Sequence, residues 1–161
     1  MASRLAQIGS LSMLWMASLL AEDRAPLFEG KELRTGETIR LEDYRGHIVL
    51  VDFWASWCPP CLESLPAYDR LYRAFRERGF VVVAVNVDEK TSDGLDFLQR
   101  HPVTYPVIAD PVGDIGIPYG IRTLPRSFIL DREGRIIESH RSFSDGDEAT
   151  LRARISELVG D

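Results

Sequence analysis

The feature that most constrains the fold is an apolar run that ends just before two closely spaced cysteines. The run, IVLVDFW, extends from Ile48 to Trp54 and contains one charged residue, Asp52. Such a run is typical of a β-strand that is covered on both faces, as in a parallel or mixed sheet. Cys58 and Cys61 follow, and apolar residues then recur at helical spacing as far as Phe75. The sequence thus predicts a buried strand, a cysteine-bearing turn and an amphipathic helix in direct succession.

The rest of the chain predicts further strands and helices of one α/β domain. Its 161 residues and mass of 18.2 kDa suffice for one hydrophobic core. The helix at 91–100 is expected to be capped by Thr91 or Ser92, and Pro66 is expected to kink the first helix near Leu62 before that helix ends at Gly79. The order β-α-β, then α, then β-β-α predicts a single α/β sandwich with a mixed sheet. The other expected elements are an edge strand at 38–41, strands at 80–87, 105–109, 127–130 and 135–140, a loop or broken helix at 110–120, and a helix at about 146–159.

Residues 1–21 differ from the rest of the chain. Arg4 is their only charged residue, and 5–21 is an apolar run diluted by glutamine, glycine and serine. Three interpretations stay open: a cleaved signal peptide, an uncleaved membrane anchor, and a mispredicted start or buried helix. The first two place the domain of residues 22–161 outside the cytoplasm. We therefore expect a periplasmic or otherwise extracytoplasmic protein, attached to the inner membrane if the segment is retained.

Composition and charge exclude several classes of protein. The formal net charge is −6, so nothing attracts the chain electrostatically to nucleic acid. Two cysteines three positions apart exclude a disulfide scaffold and a four-cysteine zinc site. The histidines His47, His101 and His140 are too far apart to suggest a local metal motif, and no metal site is predicted. The two thiols are therefore expected to react with each other.

The cysteine pair is expected to be redox-active. If Cys58 is the N-cap residue of the helix, its sulfur faces free backbone N–H groups and the positive end of the helix dipole. Its pKa should then fall below the value of about 8.5 for a free cysteine. Cys61 lies one turn later and is expected to be more enclosed, so Cys58 is predicted to attack and Cys61 to resolve, while Pro59 and Pro60 stiffen the first turn. A structural disulfide and a two-thiolate Cu(I) site are the alternatives.

The segment VDFWASWCPPC at 51–61 resembles the active-site segment of the thioredoxin superfamily. The CPPC sequence, the stretch LEDYRG at 41–46 and the predicted export signal narrow the resemblance to the TlpA/ResA-like branch, which is related to the AhpC/TSA redoxins. The similarity covers roughly residues 26–160. It implies a thioredoxin-like, three-layer α/β/α sandwich with an N-terminal strand extension and a central insertion at 88–120. It also implies thiol–disulfide oxidoreductase activity.

The resemblance further implies which residues contact the substrate. Pro125 matches the cis-proline of the family, whose bond places the preceding backbone beside the two sulfurs, where an extended substrate segment pairs with it. Trp57, next to the nucleophile, is expected to contact substrate, whereas Trp54 is expected in the core. The predicted substrate-binding residues are Trp57, Pro59, Pro60, Leu124 and Pro125.

Asp52 is the anomalous residue of the buried strand. Many members of the branch have an asparagine in this strand and a glutamate three residues after the second cysteine, whereas this chain has Asp52 and Ser64. Glu63 points about 100° away around the helix and is a poor substitute. An unpaired carboxyl in an apolar strand has a raised pKa, so we predict that Asp52 accepts the proton of Cys61, directly or through a water. The alternative is a core aspartate that a buried hydrogen bond satisfies.

These features predict an exported enzyme that exchanges disulfides with protein partners through the Cys58–Cys61 pair. The resemblance favours a reductase of apocytochrome c or of a copper-site protein, re-reduced by a membrane electron donor of the thiol-relay type. No cofactor is expected beyond the dithiol itself. The alternatives are a cytosolic thioredoxin-like or tryparedoxin-like reductant and a non-enzymatic Cu(I)-binding module.

Overall fold

The computed structural model describes residues 24–160, so the prediction of a signal peptide or membrane anchor at 1–21 lies outside the described residues. Strands and helices follow one another along this part of the chain in the order that the sequence predicts. The strands are β1 (Glu29–Lys31), β2 (Thr38–Arg40), β3 (Ile48–Trp54), β4 (Phe80–Asn86), β5 (Val107–Ala109), β6 (Arg126–Leu130) and β7 (Ile136–His140). The helices are α1 (Pro59–Phe75), α2 (Thr91–Arg100) and α3 (Asp147–Val159), with short 3-10 helices at Leu41–Tyr44 and Arg76–Arg78.

The central sheet is mixed and has the strand order β5-β4-β3-β6-β7. Strands β3, β4 and β5 are parallel, whereas β6 is antiparallel to β3 and β7 to β6. Every residue of β3 is buried, as expected for a central strand with both faces covered. The predicted mixed sheet is therefore confirmed, and the bounds of β3 are the predicted ones.

The two faces of the sheet are covered by different kinds of structure. The face that carries Leu50, Val82 and Ile129 packs against residues of all three α-helices. Within residues 24–160, the opposite face packs instead against the β1–β2 side of the chain, the 3-10 helix and the segment at 110–121. The α/β class is confirmed. Within the described chain, the layer on this second face contains no α-helix. The reason is that the segment at 110–121 is rich in proline and glycine and is held as a turn by Asp110.

The predicted cap of α2 is wrong. Thr91 and Ser92 lie inside the helix, and the N-cap residue is Lys90, whose side chain makes no capping hydrogen bond. The backbone N–H of Asp93 donates to the carbonyl of Lys90 at 3.0 Å. Since the backbone closes the first turn by itself, no hydroxyl is needed there.

Several loops lie together at one edge of the central sheet. Parallel strands finish at the same edge, so the segments after β3, β4 and β5 emerge together. Because β6 is antiparallel to β3, β6 begins at this edge and β7 ends at it. The cysteine turn, the loop before β6 and the loop after β7 are therefore neighbours in space.

Candidate active site

Cys58 and Cys61 form a disulfide at the start of α1, with their Cα atoms 5.4 Å apart. Cys58 is the N-cap residue of the helix, as the sequence predicts. Both residues are buried, with 3% of Cys58 and 1% of Cys61 exposed. The expected contrast between an accessible and an enclosed cysteine is therefore small in the disulfide form.

The expectation of several free N–H groups facing the sulfur of Cys58 is wrong. Pro59 and Pro60 occupy the first two helical positions and have no N–H. The next donor, the N–H of Cys61, bonds to the carbonyl of Cys58 at 3.0 Å. What remains to favour a thiolate at Cys58 is the positive end of the α1 dipole.

Asp52 is fully buried in β3, between Ala84 of β4 and Ser127 of β6. Its side chain lies on the face of the sheet that α1 covers, since it alternates with Phe53 and shares its face with Leu50. No residue between 24 and 160 donates a hydrogen bond to either carboxyl oxygen. Burial raises the pKa of Asp52 to about 8. These observations contradict the alternative of a hydrogen-bonded core aspartate within the described residues.

Two tyrosines close to Asp52 direct their hydroxyls elsewhere. Tyr68 donates to the hydroxyl of Ser127 at 3.4 Å, and Tyr105 donates to the carbonyl of Leu65 at 3.1 Å. Burial, together with the negative charge of Asp52, raises the pKa of both phenols. Both tyrosines therefore stay protonated, and neither donates a hydrogen bond to the carboxyl group of Asp52.

Ser64 and Glu63 lie where the helical spacing predicts. Ser64 is buried, and its hydroxyl lies 3.4 Å from the carbonyl of Cys61. Glu63 is exposed on another face of α1. Neither residue places a buried carboxylate next to Cys61, so Asp52 remains the candidate base.

The predicted substrate-binding residues lie in the cysteine turn and in the loop before β6, at the same edge of the sheet. The Leu124–Pro125 peptide bond is cis, which confirms the expectation from the resemblance. Leu124 is half-buried, Pro125 is buried, and Trp57 is 68% exposed, whereas Trp54 is fully buried against Phe97. An open groove of about 390 Å³ adjoins the turn; its lining residues are Pro59, Pro60, Glu63, Phe143, Ser144 and Asp145.

A buried polar cluster that the sequence did not predict anchors the cysteine turn to β4. Asp88 accepts the backbone N–H of Ser56 at 3.1 Å, the hydroxyl of Ser56 at 3.1 Å and the amide of Asn86 at 2.8 Å. Asp88 follows β4 and Ser56 lies two residues before Cys58, so the bonds join two loops at the sheet edge. The sequence signal for this cluster is an aspartate, Asp88, that directly follows a predicted buried strand.

The Asn86 side chain also explains why α2 contains a glycine. A Cβ atom at Gly94 would lie 2.5 Å from Oδ1 and 2.9 Å from Nδ2 of Asn86, which is buried and bonded to Asp88. In an exposed helix, replacing glycine with alanine stabilises the fold by about 1 kcal/mol. Here we expect Gly94→Ala to destabilise the protein by about 1–3 kcal/mol, because the network must move.

Urea unfolding checks this prediction, with Ser92→Ala as the control. Ser92 is an exposed residue of the same helix, and alanine is the better helix former, so that variant should be as stable as the parent protein or slightly more stable. A Gly94→Ala protein that gained stability would contradict the close packing against Asn86.

The described residues contain neither a candidate metal site nor a membrane-spanning helix. Between residues 24 and 160, no group of three or more histidine, cysteine or acidic side chains is arranged to hold a metal ion. In the same part of the chain, no helix combines the length and the apolar character needed to cross a bilayer.

The mixed sheet, the CPPC disulfide at a helix start and the cis-proline at the same edge together define a thioredoxin-like protein. Comparison with known families agrees, because residues 21–139 match the AhpC/TSA family. The chain therefore belongs to this family, and it is a TlpA/ResA-like member of the thioredoxin superfamily.

Named relatives are thiol–disulfide oxidoreductases. The chain is 34% identical over 114 residues to the thiol-disulfide oxidoreductase ResA of Bacillus thuringiensis subsp. konkukian, covering 71% of this chain and 65% of that protein. It is 35% identical over 112 residues to ResA of Geobacillus thermodenitrificans, covering 70% of this chain and 64% of that one. The matched region thus spans slightly less than two thirds of these relatives.

Solved structures show the same fold. A putative thiol:disulfide interchange protein DsbE from Chlorobium tepidum superposes with a TM-score of 0.82 and 38% identity, over 86% of this chain and 96% of that chain. StoA from Bacillus subtilis gives a TM-score of 0.68 and 28% identity, over 81% of this chain and 97% of that chain.

Proposed function

We propose that this protein is a thiol–disulfide oxidoreductase that acts on protein disulfides. The observation that carries the proposal is the Cys58–Cys61 disulfide at the start of α1, with the unpaired carboxyl of Asp52 buried on the side of the sheet beneath that helix. A three-residue spacing constrains the unfolded chain little, so a purely structural role would gain little stability. The names of the relatives support the same reaction.

The proposed reduction transfers two electrons from the dithiol to a partner disulfide. The Cys58 thiolate attacks one sulfur of the partner, forms a mixed disulfide and releases the other partner sulfur as a thiolate. Asp52 takes the proton of the Cys61 thiol, and Cys61 then attacks Cys58 and releases the reduced partner. The products are the enzyme disulfide and a partner dithiol, and no further cofactor takes part.

The substrate-binding residues in this proposal are those at the sheet edge. Trp57 offers an exposed aromatic surface next to Cys58, and Pro59 and Pro60 form one wall of the open groove. The backbone before Pro125 is proposed to pair with an extended substrate segment. Leu124 packs against the buried apolar residues on both faces of the sheet, which holds this backbone in place.

The direction and location of the reaction are finer proposals. We propose that the protein works outside the cytoplasm, as the composition of residues 1–21 suggests, and that it reduces apocytochrome c or copper-site proteins. A membrane donor of the thiol-relay type is proposed to restore the dithiol. The relatives named ResA and DsbE are consistent with this assignment.

Covalent trapping in cells tests the proposal. In a Cys61→Ala protein, Cys58 attacks a partner but no second thiol resolves the mixed disulfide, so we expect partner adducts that thiol reductants release. The Cys58→Ala protein is the matched control and should trap far less, because it lacks the nucleophile at the N-cap position. Mass spectrometry of the adducts identifies the partners and their compartment.

Three outcomes would contradict parts of the proposal. Equal trapping by the two variants would exclude Cys58 as the attacking cysteine. A purified protein that does not catalyse the reduction of insulin by dithiothreitol would contradict the activity. Adducts with cytoplasmic proteins alone would contradict the extracytoplasmic location and favour the cytosolic alternative.

A further inference from the structure

Two arginines face each other across the strands that begin and end beside the disulfide. Arg126 is the first residue of β6 and directly follows Pro125. In the β6–β7 register Ser127 pairs with His140, so the next position outward sets Arg126 opposite Arg141. Like charges directly opposite each other across an antiparallel pair are destabilising. The pair therefore requires an explanation.

No carboxylate among residues 24–160 neutralises this pair. Nη1 of Arg126 is buried and has no hydrogen-bond partner in that part of the chain, and Nη2 lies 3.4 Å from the hydroxyl of Ser139. The guanidinium lies 5.0 Å from the ring centre of Phe128. Within the described chain Arg141 has no ion pair or hydrogen bond, and it is exposed. Burial, together with the charge of Arg141, lowers the pKa of Arg126.

Most other arginines of the described chain are partnered. Arg70 binds Glu148 through two nitrogens, and Arg132 donates to the carbonyl of Val159. Exposed Arg122, four residues before Arg126, lacks such a partner and adds a third positive charge to the same loop. In a chain with a net charge of −6, unneutralised arginines concentrated beside the cis-proline are not explained by overall composition.

The arginine pair lies at the end of the sheet from which the cysteine turn emerges. Strand β6 adjoins β3, which leads into the cysteine turn, and β7 adjoins β6. With strands about 4.8 Å apart, the backbone of Arg126 lies about 5 Å and that of Arg141 about 10 Å from the line of β3. Arg126 shares its face of the sheet with Phe128, opposite to α1, whereas the groove beside α1 carries Glu63 and Asp145. The two faces of the sheet therefore differ in the sign of their charge at this end.

We propose that Arg126 and Arg141 form a recognition site for an acidic side chain of the disulfide-bearing substrate protein, and so select substrates with aspartate or glutamate near the reacting cysteine. The inference rests on the proposed oxidoreductase activity and deepens it. A carboxylate placed between two guanidiniums accepts charge-assisted hydrogen bonds, and no carboxylate of residues 24–160 already occupies this place. Because the pair lies at the end of the sheet from which the cysteine turn emerges, the acidic residue is expected within a few positions of the reacting cysteine.

The test compares three synthetic disulfide peptides that differ only in the residues flanking one cysteine. The flanking positions carry glutamate, glutamine or lysine, and the reduced enzyme converts each peptide disulfide to a dithiol while its own disulfide forms. We expect kcat/KM for the glutamate peptide to exceed that for the glutamine peptide by about fivefold to tenfold at low salt. The lysine peptide should be the poorest, and salt should reduce the differences.

Variants assign the selectivity to the pair. We expect Arg126→Gln and Arg141→Gln each to lower the glutamate-to-glutamine ratio, and the double variant to bring it close to one, mainly through KM. Arg141→Glu would place a carboxylate opposite Arg126, so it should raise the melting temperature and abolish the preference. Arg100→Gln is the matched control for net charge, because Arg100 lies at the far end of α2 and should leave the ratio unchanged.

A binding measurement separates this inference from the proposed function. Peptides with serine in place of cysteine bind the oxidised protein without reaction, and calorimetry should show tighter binding of the glutamate peptide to the parent protein only. A parent ratio of one, or a ratio that survives in the double variant, would overturn the site. Failure to reduce any peptide, with the binding preference intact, would instead contradict the oxidoreductase activity.

Discussion

Asp52→Asn is expected to stabilise the folded protein, by an amount that grows with pH. Burial raises the pKa of Asp52 from 3.8 to about 8. Between about pH 4 and about pH 8 the unfolded chain has lost this proton while the folded protein still holds it, so ionisation favours unfolding. Each unit of pKa difference is worth roughly 1.4 kcal/mol, and the asparagine variant escapes this cost. We expect a gain of several kcal/mol above about pH 8 and a much smaller gain near pH 4.

Urea unfolding at a series of pH values measures this effect. Asp69→Asn is the matched control, because Asp69 is also a buried aspartate of this domain but is fully partnered. It accepts the N–H and the hydroxyl of Thr104 at 2.6 and 2.7 Å, and it pairs with Arg73 at 2.9 Å. Its substitution should lower stability. A gain at Asp52 that did not vary with pH would show that the carboxyl is not held protonated.

The same Asp52→Asn substitution that stabilises the fold should slow the proposed reaction. If Asp52 takes the proton of Cys61, the release of a chromogenic thiol from a mixed disulfide on Cys58 should fall by about tenfold to a hundredfold in Asp52→Asn. In the parent protein this rate should rise as Asp52 ionises near pH 8, and the variant should lose that step. Unchanged release across the same pH range would remove Asp52 from the proposed mechanism.

Much of the fold was accessible from sequence because its signals are local. The apolar run at 48–54 is long enough to indicate a doubly covered strand, and β3 has these bounds. The burial of Asp52 follows from the same run. The predicted order of elements is also confirmed, since helix and strand periodicities differ clearly here.

What sequence could not provide depends on contacts between distant segments. The wrong expectation at Cys58 is an exception, because the sequence itself shows that Pro59 and Pro60 have no N–H to face the sulfur. The opposition of Arg126 and Arg141 depends on strand register, which adjacent residues do not specify. The sequence left open whether 110–120 is a loop or a broken helix; in the structure the N–H groups of Ile115 and Gly116 bond to Asp110 and hold it as a turn.

Asp88→Ala is expected to weaken the support of the cysteine turn. Asp88 is 2% exposed, and it is the shared acceptor for Ser56 and Asn86. Its removal leaves the N–H of Ser56 and the amide of Asn86 without this acceptor, and each buried unsatisfied group costs about 1–3 kcal/mol. We expect a loss of about 2–4 kcal/mol in the free energy of unfolding.

Graded substitutions distinguish a local anchor from a general defect. Ser56→Ala removes one hydroxyl bond and keeps the backbone donor, so it should cost about 1 kcal/mol, less than Asp88→Ala. Asp96→Ala, at an exposed position of α2, should cost least. Hydrogen exchange locates the change: in Asp88→Ala, the Ser56 N–H should lose more protection than the β3 amides. Equal protection of the Ser56 N–H in the parent protein and in Asp88→Ala would mean that the cysteine turn holds its shape without Asp88. The hydrogen bond from the N–H of Cys58 to the carbonyl of Ala55 would then be sufficient support for the turn.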